Sequence, residues 1–226
     1  NTYGFAPEEI PHYEPDVIEQ RLQQLNTELD LAYNPMVQAF IDMYTKRKAD
    51  LTSRILGLKK VYFPIFEEVL DRHNMPMEIK YLAVIESALN PRARSSAAAQ
   101  GLWQFIYSTG RMYDLDVTNY IDERNDPYKS TVAAASYLSD LHKMFGDWYL
   151  AMGAYNCGPG RMRQAIRQSG GKTTFWEVAP YLPRETRSYV PAFIAAAYVM
   201  NYADAHNIYP AQVDFTFYQD SIHVLR

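Results

Sequence analysis

The residues with the most chemical capacity stand in Ile85-Glu86-Ser87-Ala88-Leu89-Asn90-Pro91 and, after a run of small side chains, in Gly101-Leu102-Trp103-Gln104-Phe105. Glu86 is a single carboxylate that follows the apolar run Tyr81-Leu82-Ala83-Val84-Ile85 and precedes an Asn-Pro breaker. This placement predicts an acid at the C-terminal end of a largely buried helix, facing whatever the next loop shapes. Apolar surroundings disfavour the charged carboxylate, so its pKa rises and it holds a proton near neutral pH. A group in that state is suited to general acid catalysis. The alternative at this point is a helix-terminal glutamate that only touches solvent.

The elements that must position this acid are helical. Residues 1–16 carry Pro7, Pro11 and Pro15 and read as an extended arm. Asp16 is expected to cap a helix over 16–30, with Val17, Ile18, Leu22, Leu25 and Leu29 at helical spacing. Asn34-Pro35 supplies a cap and a proline at the first helical position, starting a second helix toward Arg47. A third runs over 50–72, with Pro64 as a kink or a new start. Met75-Pro76 opens the short helix that ends at Glu86, and Gly101–Phe105 is expected to start another that continues to Tyr113. Asp126-Pro127 begins a helix to Gly146, Trp148–Tyr155 is a short apolar helix, and Asn156–Gly160 is a turn. Arg161–Gln168 is helical again. Phe175-Trp176 should anchor a loop, and Pro183–Ala205 forms the last long helix. Val213, Phe215 and Phe217 alternate in a tail expected to be strand-like.

Composition narrows the function. With 226 residues, 48% of them hydrophobic, the chain has enough apolar surface for a sizeable core. Its net charge of −4, with no basic run, argues against nucleic acid as a partner. One cysteine, Cys157, excludes an intramolecular disulfide, and five scattered histidines give no metal-ligand spacing, so no metal and no cofactor are expected. The chain shows no signal peptide and no run of membrane-spanning length, and its opening on Asn1 reads as a trimmed or mature form. Nineteen tyrosines against ten phenylalanines suit a groove for a partly polar ligand such as a glycan, although tyrosines also fill the edges of helical cores.

Several motifs in order carry a resemblance: Glu86-Ser87, Asn90-Pro91, Ser95, Gly101–Phe105, Ala154-Tyr155-Asn156-x-Gly158-x-Gly160-Arg161 and Glu185-Thr186-Arg187-x-Tyr189-Val190. Over residues 62–201 the chain resembles the lytic murein transglycosylases, whose catalytic domain has the goose-type lysozyme fold. Phe175-Trp176 and Leu182-Pro183-Arg184-Glu185-Thr186 are most similar to the membrane-bound lytic murein transglycosylase D type. The resemblance implies a mainly α, lysozyme-like catalytic domain over 61–207, an N-terminal arm and helical extension over 1–60, and a tail or linker over 208–226. It implies non-hydrolytic cleavage of the MurNAc-GlcNAc β-1,4 bond of peptidoglycan to a 1,6-anhydro end, with Glu86 as acid and then base. A hydrolytic muramidase on the same fold and a non-catalytic peptidoglycan-binding protein are the alternatives.

On the same resemblance, Ser95, Gln104, Tyr155, Asn156, Glu185 and Tyr107 are the substrate-binding candidates. Ser95 would bond the substrate N-acetyl region, and Gln104 would line the cleft or order its loop. The Tyr155 hydroxyl would sit near the acid and the sugar, and Asn156 would shape the turn after it. Glu185 would tune Glu86 or, as favoured here, pair with an arginine such as Arg187 or Arg161. Tyr107 and Trp103 are candidates to stack on sugars, with Trp103 equally suited to the core. Asp114, Asp116 and Asp122 remain candidates for a second acid. Three positions depart from the family pattern: Ala98 in place of a usual glycine, Tyr107 of a frequent proline, and Cys157 of alanine or serine. A monomer in the bacterial cell envelope, on the periplasmic side, is expected, with membrane attachment or wall-binding modules outside this chain.

Overall fold

The computed structural model describes residues 3–213. Ten α-helices are described: α1 Pro15–Gln24, α2 Pro35–Asp42, α3 Ala49–Arg72, α4 Tyr81–Ser87, α5 Tyr107–Met112, α6 Pro127–Phe145, α7 Trp148–Cys157, α8 Pro159–Gln168, α9 Phe175–Val178 and α10 Arg184–Tyr202. Extended pairing among the described residues is confined to isolated bridges, Arg94 with Gln100, Gln100 with Phe105 and Val117 with Asp122. The expected mainly helical class holds.

The last long helix is the axis of the molecule. From Phe193 to Met200 every residue of α10 is buried, so this stretch contacts protein on all sides. Ala195, Ala196 and Ala197 have no bulk beyond Cβ, which lets α2 and α7 pack closely against it. Helix α4, which carries Glu86, also packs on α10, while α3 packs on α6 and α6 on α7. Each large apolar side chain so buried, such as Phe66, Ile79 or Phe193, favours folding by about 1.5–3 kcal/mol.

The segment before residue 60 shares this core. Ile18 and Leu22 of α1 and Val37 and Ile41 of α2 are buried in it, and α3 runs unbroken across residue 60. Polar contacts fasten the segment to α10: an Arg21 guanidinium N–H donates to the Tyr198 hydroxyl at 3.0 Å, and the Tyr202 hydroxyl donates to the Arg21 carbonyl at 3.0 Å. Between α2 and α3 lies a wide π turn, Met43–Arg47, closed by Lys48 N–H donating to the Met43 carbonyl at 2.8 Å. Thr45 and Thr52 hydroxyls occupy the Ile41 and Tyr44 carbonyls at 2.8 Å each, which satisfies acceptors in this loosened stretch.

Several local expectations need correcting. Helix α1 starts at Pro15, without a side-chain cap from Asp16, and stops at Gln24. Beyond it, Thr27 bonds the Leu29 carbonyl at 2.9 Å, a local turn that competes with helix. Leu29 and Leu31 reach the core from non-helical chain. Asn34 does cap α2, accepting from Met36 and Val37 N–H. Pro64 neither breaks nor restarts α3, since its side lies at solvent.

Gly101–Phe105 is not helical. Gly101 at φ +84° and Gln104 at φ +51° close a turn across which Gln100 and Phe105 exchange backbone bonds of 3.0 and 3.1 Å, and helix begins only at Tyr107. Asn156 and Cys157 complete α7 rather than forming a turn, and Gly158 alone makes the break. Of the Phe175-Trp176 pair, only Phe175 is buried. The tail up to residue 213 lies along α3, with Ala211 N–H donating to the Ser53 carbonyl at 2.9 Å, and no strand is formed there. The expected alternation through Phe215 and Phe217 lies outside the described residues.

Candidate active site

Glu86 stands on the last turn of α4, and the backbone reverses immediately after it. Ala88 and Leu89 both adopt left-handed conformations, at φ +51° and +58°. For residues other than glycine this costs on the order of 1 kcal/mol or more each, which the buried packing of Leu89 offsets. The Ser87 hydroxyl, 2.9 Å from both the Ala83 and Leu102 carbonyls, ties α4 to the turn after it.

That turn is held rigid from behind. Trp103 is 1% exposed, its Nε1–H donates to Thr131 Oγ1 at 2.9 Å, and its ring meets Phe66 edge-on at 5.1 Å. It belongs to the core and cannot stack on a sugar. Arg124 is buried, paired with Asp122 at 2.6 Å, and donates to the Ala98 and Phe105 carbonyls at 3.2 Å each. Sequence inspection did not single out Arg124; the nearby Asp122 was its one trace, and that residue is a brace, not a second acid. Its carboxyl is held below the usual range by the Arg124 hydrogen bonds. Asp116 pairs with Arg111 at 2.7 Å, and none of Asp114, Asp116 and Asp122 lines a cavity at Glu86. Ala98 sits at φ +60°, the region glycine enters freely, so the glycine that the resemblance leads one to expect here would fit without strain.

Two cavities meet at Glu86. One, of about 460 Å³, runs between Ala93–Ser95 and the π turn with its flanks; the other, of about 370 Å³, runs toward α7 and the start of α10. Glu86, Ser95 and Gln104 line both. Ser95 Oγ accepts from Ala99 N–H at 3.1 Å, leaving its hydroxyl proton uncommitted to that bond. Gln104 Nε2 donates to the Ala93 and Gly101 carbonyls at 3.1 and 2.9 Å, so the side chain orders the loop while its residue faces the cleft. Tyr155, Asn156 and Glu185 line the second cavity. The Tyr155 hydroxyl donates to the Trp103 carbonyl at 2.6 Å, and Asn156 Oδ1 accepts from the Thr186 hydroxyl at 2.8 Å. Tyr107 is 58% exposed and lies outside the lining of both cavities. Cys157 lines the second cavity as a thiol whose pKa is raised by burial.

Glu86 is the perturbed acid of this cleft. Burial pushes its carboxyl from the ordinary 4.5 up to about 7, the Tyr189 hydrogen bond pulls it down in part, and the like charge of Glu185 adds to the rise. Glu185 makes no ion pair among the described residues, so the expected arginine partner is replaced by this electrostatic role on the cleft wall. The Tyr189 hydroxyl donates to Glu86 Oε1 at 2.5 Å from a side chain only 7% exposed. Tyr189 was not among the expected site residues. The signal was its place four residues after Glu185, one helical turn along the same face.

Tyr189→Phe removes the one contact that favours the charged acid. The Glu86 pKa should therefore rise beyond about 7, and the alkaline limb of the pH–rate profile should move to higher pH. An unmoved limb in kcat/KM against pH would show that this hydroxyl does not act on the acid.

The model described as "Transglycosylase SLT domain" matches residues 63–176, half of the chain. The chain belongs to this family. It is 40% identical over 169 residues to the membrane-bound lytic murein transglycosylase D of Escherichia coli, covering 73% of this chain and 37% of that protein. It is 31% identical over 147 residues to the soluble lytic murein transglycosylase of the same organism, covering 59% and 22%. The crystal structure of the 70 kDa soluble lytic transglycosylase from Escherichia coli matches with a TM-score of 0.53 at 26% identity, covering 65% of this chain and 26% of that one. The SLT-family chain thus matches little more than a third of the length of the first relative, and its fold is the lysozyme-like one the motifs implied.

Proposed function

We propose that this SLT-family chain cleaves the MurNAc-GlcNAc β-1,4 bond of peptidoglycan without water, leaving a 1,6-anhydro-muramoyl end. The observation that carries the proposal is the state of Glu86: a carboxyl of pKa about 7, held by Tyr189, where two cavities meet. Such an acid is half protonated near neutral pH and can serve in both directions of proton transfer. In the first step its proton passes to the glycosidic oxygen as the bond from that oxygen to the muramoyl anomeric carbon breaks. In the second the Glu86 carboxylate takes the proton of the muramoyl 6-hydroxyl while that oxygen bonds to the anomeric carbon. Glu86 ends protonated, as it began, and no water is consumed.

A second reading has one observation behind it. Glu185 is the other carboxylate on the cleft, and a pair of carboxylates is what a hydrolytic glycosidase ordinarily uses. Glu185→Gln separates the two. If Glu185 acts only through its field, the variant lowers the Glu86 pKa, moves the alkaline limb to lower pH and keeps the anhydro product. A loss as deep as that of Glu86→Gln would favour the hydrolase.

Mass spectrometry of fragments released from purified peptidoglycan tests the main proposal. Anhydro-muramoyl ends, lighter by one water than reducing ends, are expected; reducing ends alone would replace it with hydrolysis. The setting follows from the substrate: the periplasmic side of a bacterial cell envelope. Among the described residues no helix is long and apolar enough to cross a membrane.

A further inference from the structure

The two cavities that meet at Glu86 differ in charge. The second carries Glu185 and no lysine or arginine among its lining residues. The first carries Lys48 and Arg94, and Glu86 is its one carboxylate. Lys48 closes the π turn on one bank, and Arg94 stands beside Ser95 on the other. Both side chains are exposed, and among the described residues neither has an ion pair or a side-chain hydrogen bond. Lys46, two residues before Lys48, is by contrast paired with Asp42 at 3.0 Å.

The bank beneath Lys48 is apolar, built from Phe40, Met43, Leu51 and Ile55. Cations above an apolar wall match a ligand arm that bears carboxylates and methyl groups together. A neutral sugar chain offers hydroxyls and acetamides, which can accept hydrogen bonds from the two cations but leave their charge uncompensated, whereas a carboxylate does both. The lactyl-peptide arm of a muramoyl residue has the required chemistry. Resting on the function proposed above, we infer that Lys48 and Arg94 form a carboxylate subsite for this arm. The segment before residue 60 is then a specificity element of the cleft. Opposite charges on solvent-exposed side chains attract weakly in water, so the two cations set preference more than absolute affinity.

Binding tests this without depending on turnover. Co-sedimentation with intact peptidoglycan, in a Glu86→Gln background that leaves the strands uncut, is compared with the same material after its peptide carboxylates are converted to amides. The intact form is expected to bind about tenfold more tightly, roughly threefold from each cation. Lys48→Ala with Arg94→Ala should bring the ratio close to one, and so should raising the salt to about 0.5 M. Lys48→Arg with Arg94→Lys should keep it. Melting temperatures check that each variant is folded, and the single variants, each with about half the effect on a logarithmic scale, serve if the double one is not. Equal binding of both materials by the parent, or a preference that survives in the folded double variant, would overturn the inference. Strands stripped of peptide by an amidase lose every peptide carboxylate and gain a free lactyl carboxylate where intact strands have an amide. Sensitivity of their binding to the double variant shows that a carboxylate exposed at the lactyl end also reaches the two cations, and sensitivity confined to intact strands places the recognised carboxylates further along the peptide. The products of the parent with native Glu86, read by mass, judge the transglycosylase proposal separately.

Discussion

Glu86→Gln should abolish most cleavage and, at alkaline pH, make the protein more stable. Cleavage falls because glutamine has no proton to transfer, and the loss should be at least the roughly 10²–10⁴-fold typical of a general acid-base group. The stability effect follows from the same environment. In the folded chain Glu86 titrates at about 7 against an ordinary 4.5. Below pH 4.5 both folded and unfolded chains hold the proton and nothing is lost. As pH rises from 4.5 to 7 the unfolded chain releases its proton first, so folding stability falls. Above pH 7 the full penalty stands, on the order of 3 kcal/mol. Glutamine is spared this cost, and its amide oxygen can still accept the Tyr189 hydroxyl. Melting should therefore rise by roughly 5–10 °C at pH 8 and hardly at all at pH 4. The same rise at both pH values would mean that burial of the charge is not the cause.

The other large effect is expected at Gly101. A Cβ built there lies 1.9 Å from the Arg124 carbonyl oxygen and 2.8 Å from its carbon, both backbone atoms, and φ is +84°. Neither partner can yield cheaply. Gly101 N–H is bonded to the Ala93 carbonyl at 2.9 Å, and Arg124 is fixed by Asp122, Ala98 and Phe105. Gly101→Ala should cost at least about 3 kcal/mol, from the clash together with the left-handed backbone. Because Gln104 is part of the same turn and Ser95 belongs to the loop that Gly101 N–H fastens at Ala93, activity of whatever folded fraction remains should fall too. Urea unfolding measures the first effect; a midpoint that implies a loss under about 1 kcal/mol would show that the turn can relax.

What the sequence disclosed is what local patterning governs. Asn34-Pro35 and Asp126-Pro127 announced their helices because a cap and a proline act within one turn. The raised acid was legible because the apolar run before Glu86 belongs to the helix that buries it. The turn at Gly101–Phe105 was not, since Gln104 and Ala98 take left-handed backbone that no propensity marks. Thr131, which holds the Trp103 ring, and Arg124 impose that shape from elements further along the chain. Glu185 was given a neighbouring arginine on charge pairing alone, whereas its actual field acts on an acid ninety-nine positions earlier in the chain. The bank formed by Met43, Tyr44 and Lys48 was hidden for the same reason: a π turn has no periodicity to read, and its contacts are long-range.

The hold of Tyr189 on Glu86 bridges a sequence separation of 103, and that of Arg21 on Tyr198 one of 177. Contacts this distant along the chain close late in folding, because each must overcome the entropy of a long loop. On a ribosome, α2 and α4 emerge while α10 is still unmade, and the surface they will turn toward it has nothing to rest on. Only docking of the final helix presents the hydroxyl to the acid and backs the apolar bank. A nascent chain is thus expected to carry Glu86 as an ordinary, ionised surface carboxylate, and to gain its catalytic proton affinity as nearly its last step of maturation.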